Sequence, residues 1–160
     1  MKLFPTKELG FRLVNNQAET LDRLNRRTER SENLTSQVTD KSFRGLINGS
    51  EFRLISSTIG KGAFCVMTGH INSVDGSVKV EIHKVFRILL SIILSLPLVG
   101  ILAMAISRKE EFSPIIILVA IGQFLMIRFF FIELAFRFLS RESLNRLREV
   151  LDLEWLKNYA

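Results

Sequence analysis

Nineteen consecutive residues, Ile88 to Ile106, contain no charged side chain and read ILLSIILSLPLVGILAMAI. Twelve of them are Ile, Leu or Val, and each such residue near the bilayer centre favours insertion by about 0.3–0.6 kcal/mol. At ~1.5 Å per residue the run reaches ~28 Å as a helix, about one hydrocarbon thickness. A chain of 160 residues has too little protein to cover such a helix on every side, so the run predicts a transmembrane helix. Pro97 lies mid-helix and predicts a kink, which membrane helices accommodate.

A second run extends from Ile115 to Leu139, and its first 13 residues are apolar except Gln123. Arg128, Glu133 and Arg137 follow, set among Phe129, Phe130, Phe131, Phe136 and Phe138. A second spanning helix is expected over about 115–138. Only residues 107–114 separate the two runs, so the helices should lie antiparallel as a hairpin. This concentration of apolar residues explains a mean hydropathy of +0.24 in a chain whose charged fraction, 24%, is that of an ordinary soluble domain.

Aligning the outer ends of the helices brings Arg128 level with Ile93, between Ser91 and Ser95, and Glu133 level with Ile88, beside Arg87. A charge at the bilayer centre costs ~2.5–3.5 kcal/mol, and less towards the interface. Two readings follow. In one, Arg128, Ser91, Ser95 and Gln123 form an intramembrane polar site for a lipid headgroup, an ion or a partner helix, with both serines hydrogen-bonding the guanidinium. In the other, Arg128 snorkels to the headgroups. In both, Arg87 pairs with Glu133 at the interface.

Orientation follows from Lys and Arg near the helix ends. Lys79, Lys84, Arg87, Arg137, Arg141, Arg146 and Arg148 lie on the domain side, seven against Arg108 and Lys109 in the connection. Both termini are therefore expected in the cytoplasm, with the protein in the cytoplasmic (inner) membrane. The first residues, Met1 to Glu8, carry no apolar stretch long enough for a signal peptide.

Residues 1–86 read as a cytoplasmic α+β domain. Leu9 to Leu13 alternates as a strand. Asn16 can cap a helix with Glu19 as its box partner, and Glu19–Arg23 and Asp22–Arg26 are supporting pairs one turn apart. This helix should end near Arg30, with Arg26, Arg27 and Arg30 complementing its dipole; acidic neighbours make the basic cluster a solvated face. Ser31 to Ser42 reads as a polar loop. Strands follow over Phe43–Ile47 and Glu51–Ser57, joined at Asn48-Gly49, whose dipeptide favours a type I′ turn. A turn at Gly60-Lys61-Gly62 leads to a strand from Phe64 to Val74. Asp75-Gly76 is a further type I′ signal, and Val78, Val80 and Ile82 alternate with Ser77, Lys79 and Glu81 in the last strand. Together these give an antiparallel β-meander with one buried face.

Residues 140–160 should form an amphipathic helix, with Leu144, Leu147, Leu151 and Trp155 on one face. It packs on the sheet or lies on the membrane surface. The fold class is then an α+β membrane protein, a meander with flanking helices in helix-grip-like order, interrupted by a transmembrane hairpin over 87–139.

His70 and His83 fall on different strands without acidic residues at ligand spacing, so no metal or cofactor is expected. Cys65, the single cysteine, excludes a disulfide framework within the chain and reads as an inert core thiol. Gly60-Lys61-Gly62 lacks the phosphate-loop pattern. No nucleophile–base or paired-carboxylate motif stands out, and the chain is not expected to be an enzyme. The net charge of +6 and the pI of 9.9 flank the membrane helices, where they serve orientation and anionic lipid rather than nucleic acid.

The stretch Phe43-Arg44-Gly45-Leu46-Ile47-Asn48-Gly49-Ser50-Glu51-Phe52-Arg53-Leu54, then Phe64 with Gly69-His70-Ile71, then a polar strand entering an apolar helix, resembles small two-pass bacterial membrane proteins with an N-terminal β-rich domain. The resemblance spans about 3–106. It departs at Gly60-Lys61-Gly62-Ala63-Phe64-Cys65-Val66, where the similar proteins tend to read Arg-Asn-Ser-Phe-Leu-Pro. It implies the architecture and no activity. The functional expectation is a non-enzymatic accessory or scaffold subunit, with membrane lipid and another membrane protein or further copies of itself as partners. The alternatives are a homo-oligomeric pore or membrane-perturbing effector lined by Arg128, Gln123 and Glu133, and a lipid-binding sensor.

Overall fold

The computed structural model describes residues 3–35, 37, 39–57, 62–107 and 114–156. The chain divides into two compact units, Met1–His83 with Arg137–Ala160, and Lys84–Phe136.

The first unit is a mixed α/β domain built on a seven-stranded sheet, ordered β2-β3-β4-β5-β6-β1-β7. The strands are β1 (Thr6–Leu13), β2 (Thr28–Arg30), β3 (Phe43–Asn48), β4 (Glu51–Ser56), β5 (Cys65–Ile71), β6 (Asp75–Ile82) and β7 (Leu153–Trp155). All neighbours pair antiparallel except β2 and β3. The pairing registers place Phe11, Phe43, Phe52, Leu54, Met67, Val78 and Val80 on one face, where all are buried. Two helical segments in this unit bury apolar side chains: α1 (Gln17–Arg27) through Leu24, and the end of α4 (Glu133–Leu151) through Leu144, Leu147 and Leu151. They are the cover that a half-apolar sheet requires.

Helix α1 starts where the Asn16 side chain accepts the Glu19 N–H at 2.8 Å, the contact that fixes a helix N-terminus. It stops at Arg27, short of Arg30. Thr28–Arg30 turns extended and pairs with Phe43–Gly45 as β2. A β-branched residue at the junction and a ladder partner favour strand over one more helical turn.

Both expected type I′ turns are built differently. Asn48 pairs with Glu51, so Gly49-Ser50 forms the two-residue loop. Gly49 has φ 59° and Ser50 is not among the described residues with positive φ, the pattern of a type II′ turn. At the β5–β6 connection Ile71 pairs with Gly76. The turn is Asn72 to Asp75, closed by the Asn72 N–H donating to the Asp75 carbonyl at 2.7 Å. Gly76 therefore serves packing rather than the turn. A Cβ there would lie 2.4 Å from the Phe11 ring and 2.5 Å from the His70 carbonyl oxygen. Gly69 is its counterpart, with a Cβ 2.3 Å from the Ser77 carbonyl oxygen and 2.6 Å from the Phe52 ring. Phe11 pairs with Gly76 and Phe52 with Gly69 across the strands, so each ring lies in the space its glycine leaves.

Leu46 apart, the opposite face is polar except at one end. There Leu34, from the segment expected to be a plain loop, packs with Ile55, Val66 and Ala63. The turn expected at Gly60-Lys61-Gly62 lies at 60–61 outside the described residues. Gly62–Phe64 is a 3₁₀ turn that leads into β5.

The C-terminal helix also ends early. Asp152 takes φ 50°, the left-handed conformation that terminates a helix, and Arg23 bonds its carboxylate. The chain continues as β7 against β1. Trp155 thus belongs to a strand, edge-on to Phe11 with ring centroids 6.2 Å apart, and not to the helical face of Leu144, Leu147 and Leu151.

The second unit is helical: α2 (Lys84–Ser107), α3 (Pro114–Leu125), a π-helical segment (Met126–Ile132), and the start of α4. Two helices, Lys84–Ile106 and Ile115–Leu151, are long and apolar enough to cross a membrane. Only 6% of the most apolar window of the first is buried, and 17% of that of the second. A core helix of a soluble protein would be mostly buried, whereas these present apolar surface outward.

Candidate functional site

Each apolar helix has one row of buried and half-buried residues. On α2 it passes through Leu90, Leu94, Pro97, Ile101 and Ala105; on the second helix through Ile116, Ala120, Phe124, Arg128, Ile132 and Phe136. The second stripe advances by four residues at every step. In an ideal α-helix such a row drifts by ~40° per step. The π-helical segment is wider per turn and takes up part of that drift.

Arg128 sits within the π-helical segment and is 8% exposed. Its guanidinium lies 5.2 Å from the centre of the Phe129 ring, within cation–π range. Its Nη1 lies 3.9 Å from Oε2 of Glu133. That is longer than the ~2.7–2.9 Å of a direct charge-assisted hydrogen bond, so the pair is an ionic contact. The Glu133 side chain is about one-third exposed.

The expected residues do not all gather around Arg128. Gln123 is exposed and lies off the buried stripe. Ser91 is exposed and its hydroxyl donates to the Arg87 carbonyl at 2.8 Å. The Ser95 hydroxyl donates to the Ile92 carbonyl at 2.7 Å. Both serines thus bond their own helix backbone, a local option open to any helical Ser. Glu133 was expected opposite Arg87; the ion pair it makes with Arg128 lies on its own helix. The sequence signal for that pair was the polar spacing of Arg128 and Glu133 itself. A five-residue separation carries little weight under α-helical geometry, where three or four is needed.

Comparison with protein-family models, with curated proteins and with solved structures gives no match.

In the α/β domain the pairing register sets Glu51, His70 and Ser77 side by side across β4, β5 and β6. The Ser77 hydroxyl and His70 Nδ1 are 3.1 Å apart, in a shallow depression of about 500 Å³ that Arg53 and Thr68 also line. His70 is exposed, a surface position that its strand alternation was compatible with but did not single out. Of the basic residues Arg26, Arg27 and Arg30, Arg26 pairs with Asp22 at 2.8 Å; a turn earlier, Arg23 pairs with Glu19 at 3.0 Å and with Asp152. The bond to Asp152 is the main reason the Arg23 pKa is raised, ahead of the opposing desolvation. Among the described residues, no three His, Cys, Asp or Glu side chains converge as a metal site would require.

Proposed function

We propose that this chain is a non-enzymatic accessory or scaffold subunit of the cytoplasmic membrane, associating with protein partners through its membrane hairpin and its cytoplasmic α/β domain. One observation carries the reading. The two long apolar helices each have one row of buried and half-buried residues and expose apolar side chains elsewhere, among them Ile92, Leu96, Leu102, Leu118, Phe130 and Leu134. A two-helix unit with that surface is solvated by lipid and open to lateral contact with other helices. Both termini lie in the cytoplasm in this reading, supported by the seven cationic residues on the domain side.

The test is extraction at native expression level in mild detergent, followed by native mass spectrometry. A defined complex with other proteins supports the reading. A homo-oligomer that conducts ions in liposomes sinks it in favour of the pore. Thiol labelling of single cysteines introduced within 107–114, from outside intact cells, tests the orientation.

A further inference from the structure

We infer that Arg137, Arg141 and Arg148, aligned along α4, hold the headgroups of anionic phospholipids. The inference rests on the membrane reading of the hairpin and names a lipid partner for the α/β domain. The second long apolar helix continues into α4, which runs unbroken from Glu133 to Leu151. At ~100° per residue, Arg137, Arg141 and Arg148 fall within ~40° of one another around the helix axis. All three are exposed. The acidic residues of the same stretch, Glu142 and Glu149, fall ~80° or more away from each of them.

Arg141 and Arg148 also lack a counter-charge within the chain. Neither makes an ion pair with another described residue. The positions three and four residues from Arg141 carry Arg137, Phe138, Leu144 and Asn145. Arg148 has Asp152 four residues on, but Arg23 bonds that carboxylate. Arg141, Asn145 and Arg148 line one depression with Glu149, Asp152 and Glu154, and Glu154 stands opposite Arg12 in the β1–β7 register.

Position along the helix selects the occupant. The apolar run ends at Leu139, and headgroups occupy ~5–8 Å beyond the hydrocarbon on each side of a bilayer. For a helix along the bilayer normal, Arg137 lies at that boundary and Arg141 ~3 Å past it. Both guanidinium groups then lie at the level of the phosphates, which they match by paired hydrogen bonds. Arg148 lies ~14 Å past Leu139. That is about one Debye length, ~8–10 Å, above the headgroups, where attraction to anionic lipid fades. A headgroup layer therefore uses the row in order of depth. A nucleic acid or an acidic protein lying along the row would use its members alike.

The full-length chain in mild detergent is titrated with phosphatidylglycerol or with phosphatidylcholine, and bound lipid is counted by native mass spectrometry. Phosphatidylglycerol is expected to bind about tenfold or more tightly than phosphatidylcholine. Arg141→Gln should lower its affinity about fivefold, the effect of one cation at an anionic surface, and Arg148→Gln about twofold or less. Arg53→Gln changes an exposed cation on the sheet face opposite the helices and should leave the affinity unchanged. Arg141 and Arg148 are exposed and unpaired, so both variants should keep the wild-type melting temperature.

Equal affinity for the two lipids, or a loss in Arg141→Gln no larger than in Arg53→Gln, overturns the inference and leaves the accessory reading standing. An equal loss in Arg141→Gln and Arg148→Gln overturns it too, because the occupant then spans the row. A chain recovered in the aqueous fraction without detergent overturns the membrane reading and the inference together.

Discussion

Arg128 and Glu133 form an ion pair at 3.9 Å although five residues separate them on one helix. In an α-helix, five residues turn through ~500°, which leaves the side chains ~140° apart. The π-helical segment Met126–Ile132 has more residues per turn and narrows that angle. The local helix type and the ion pair are thus one feature, and the carboxylate offsets a guanidinium that is 8% exposed. Removing the carboxylate alone takes an ionic contact from a buried guanidinium, while removing both charges leaves none to compensate. We expect Glu133→Gln alone to lower stability by about 1–3 kcal/mol, and Arg128→Met with Glu133→Gln to recover most of it. Unfolding of the full chain in mixed micelles measures both; a double variant that costs the sum of the singles would show the pair is not coupled.

This pair marks the limit of what the sequence showed at the candidate site. The apolar runs were legible because insertion depends on composition over about twenty residues, whichever neighbours surround them. The partner of Glu133 was not legible. An aligned hairpin of ideal helices brings Glu133 towards Arg87, and a wider turn that redirects side chains leaves no local signature in MIRFFFI. Ser91 and Ser95 failed for a related reason: helical spacing gives a face, but a hydroxyl can bond its own backbone before any neighbour.

In the sequence Gly69 falls within a strand and Gly76 within a turn signal. The structure gives both the same task, to leave room for the ring of a cross-strand Phe. Added Cβ atoms would meet backbone carbonyl oxygens at 2.3 and 2.5 Å, which cannot retreat without disturbing the ladder. Gly69→Ala and Gly76→Ala should each cost about 1–3 kcal/mol or more by overpacking. Gly100→Ala, where nothing lies within 4 Å, should cost nothing measurable. Thermal unfolding of the three variants checks this; equal melting temperatures would refute the packing role.

The strands of six to eight residues are readable from period-two alternation and turn residues. The short edge strands are not, since three residues carry no period and Thr28–Arg30 and Leu153–Trp155 exist by pairing with a neighbour. The helix before β7 shows the consequence. Leu144, Leu147 and Leu151 are 3%, 0% and 0% exposed, in the unit that contains the sheet. A helix on a membrane surface would instead keep these leucines in lipid. Leu147→Ala should therefore destabilise the α/β domain by about 2–5 kcal/mol, whereas Glu149→Ala, at an exposed position, should be nearly neutral. Trp155, the chain's one tryptophan, reports the domain's unfolding by fluorescence, and an unchanged transition in Leu147→Ala would place the helix elsewhere.

Cys65 is fully buried on the inner face of β5, and burial raises its pKa from 9.0 to about 12. The thiolate is the nucleophile, so the folded chain should resist iodoacetamide at pH 8 and react only after unfolding. The same shift sets a pH dependence. Up to about pH 8 the thiol is almost wholly protonated in both states and the site contributes almost no slope. Between pH 9 and about 12 the unfolded thiol ionises while the folded one stays neutral, so the unfolded state binds fewer protons and folding weakens as pH rises. The contribution approaches ~1.4 kcal/mol per pH unit within that window. Cys65→Ala removes this component and leaves a small cavity. Its denaturation midpoint should therefore start lower at pH 8 and fall less steeply than wild type above pH 9; parallel slopes would show that Cys65 is already accessible in the folded state.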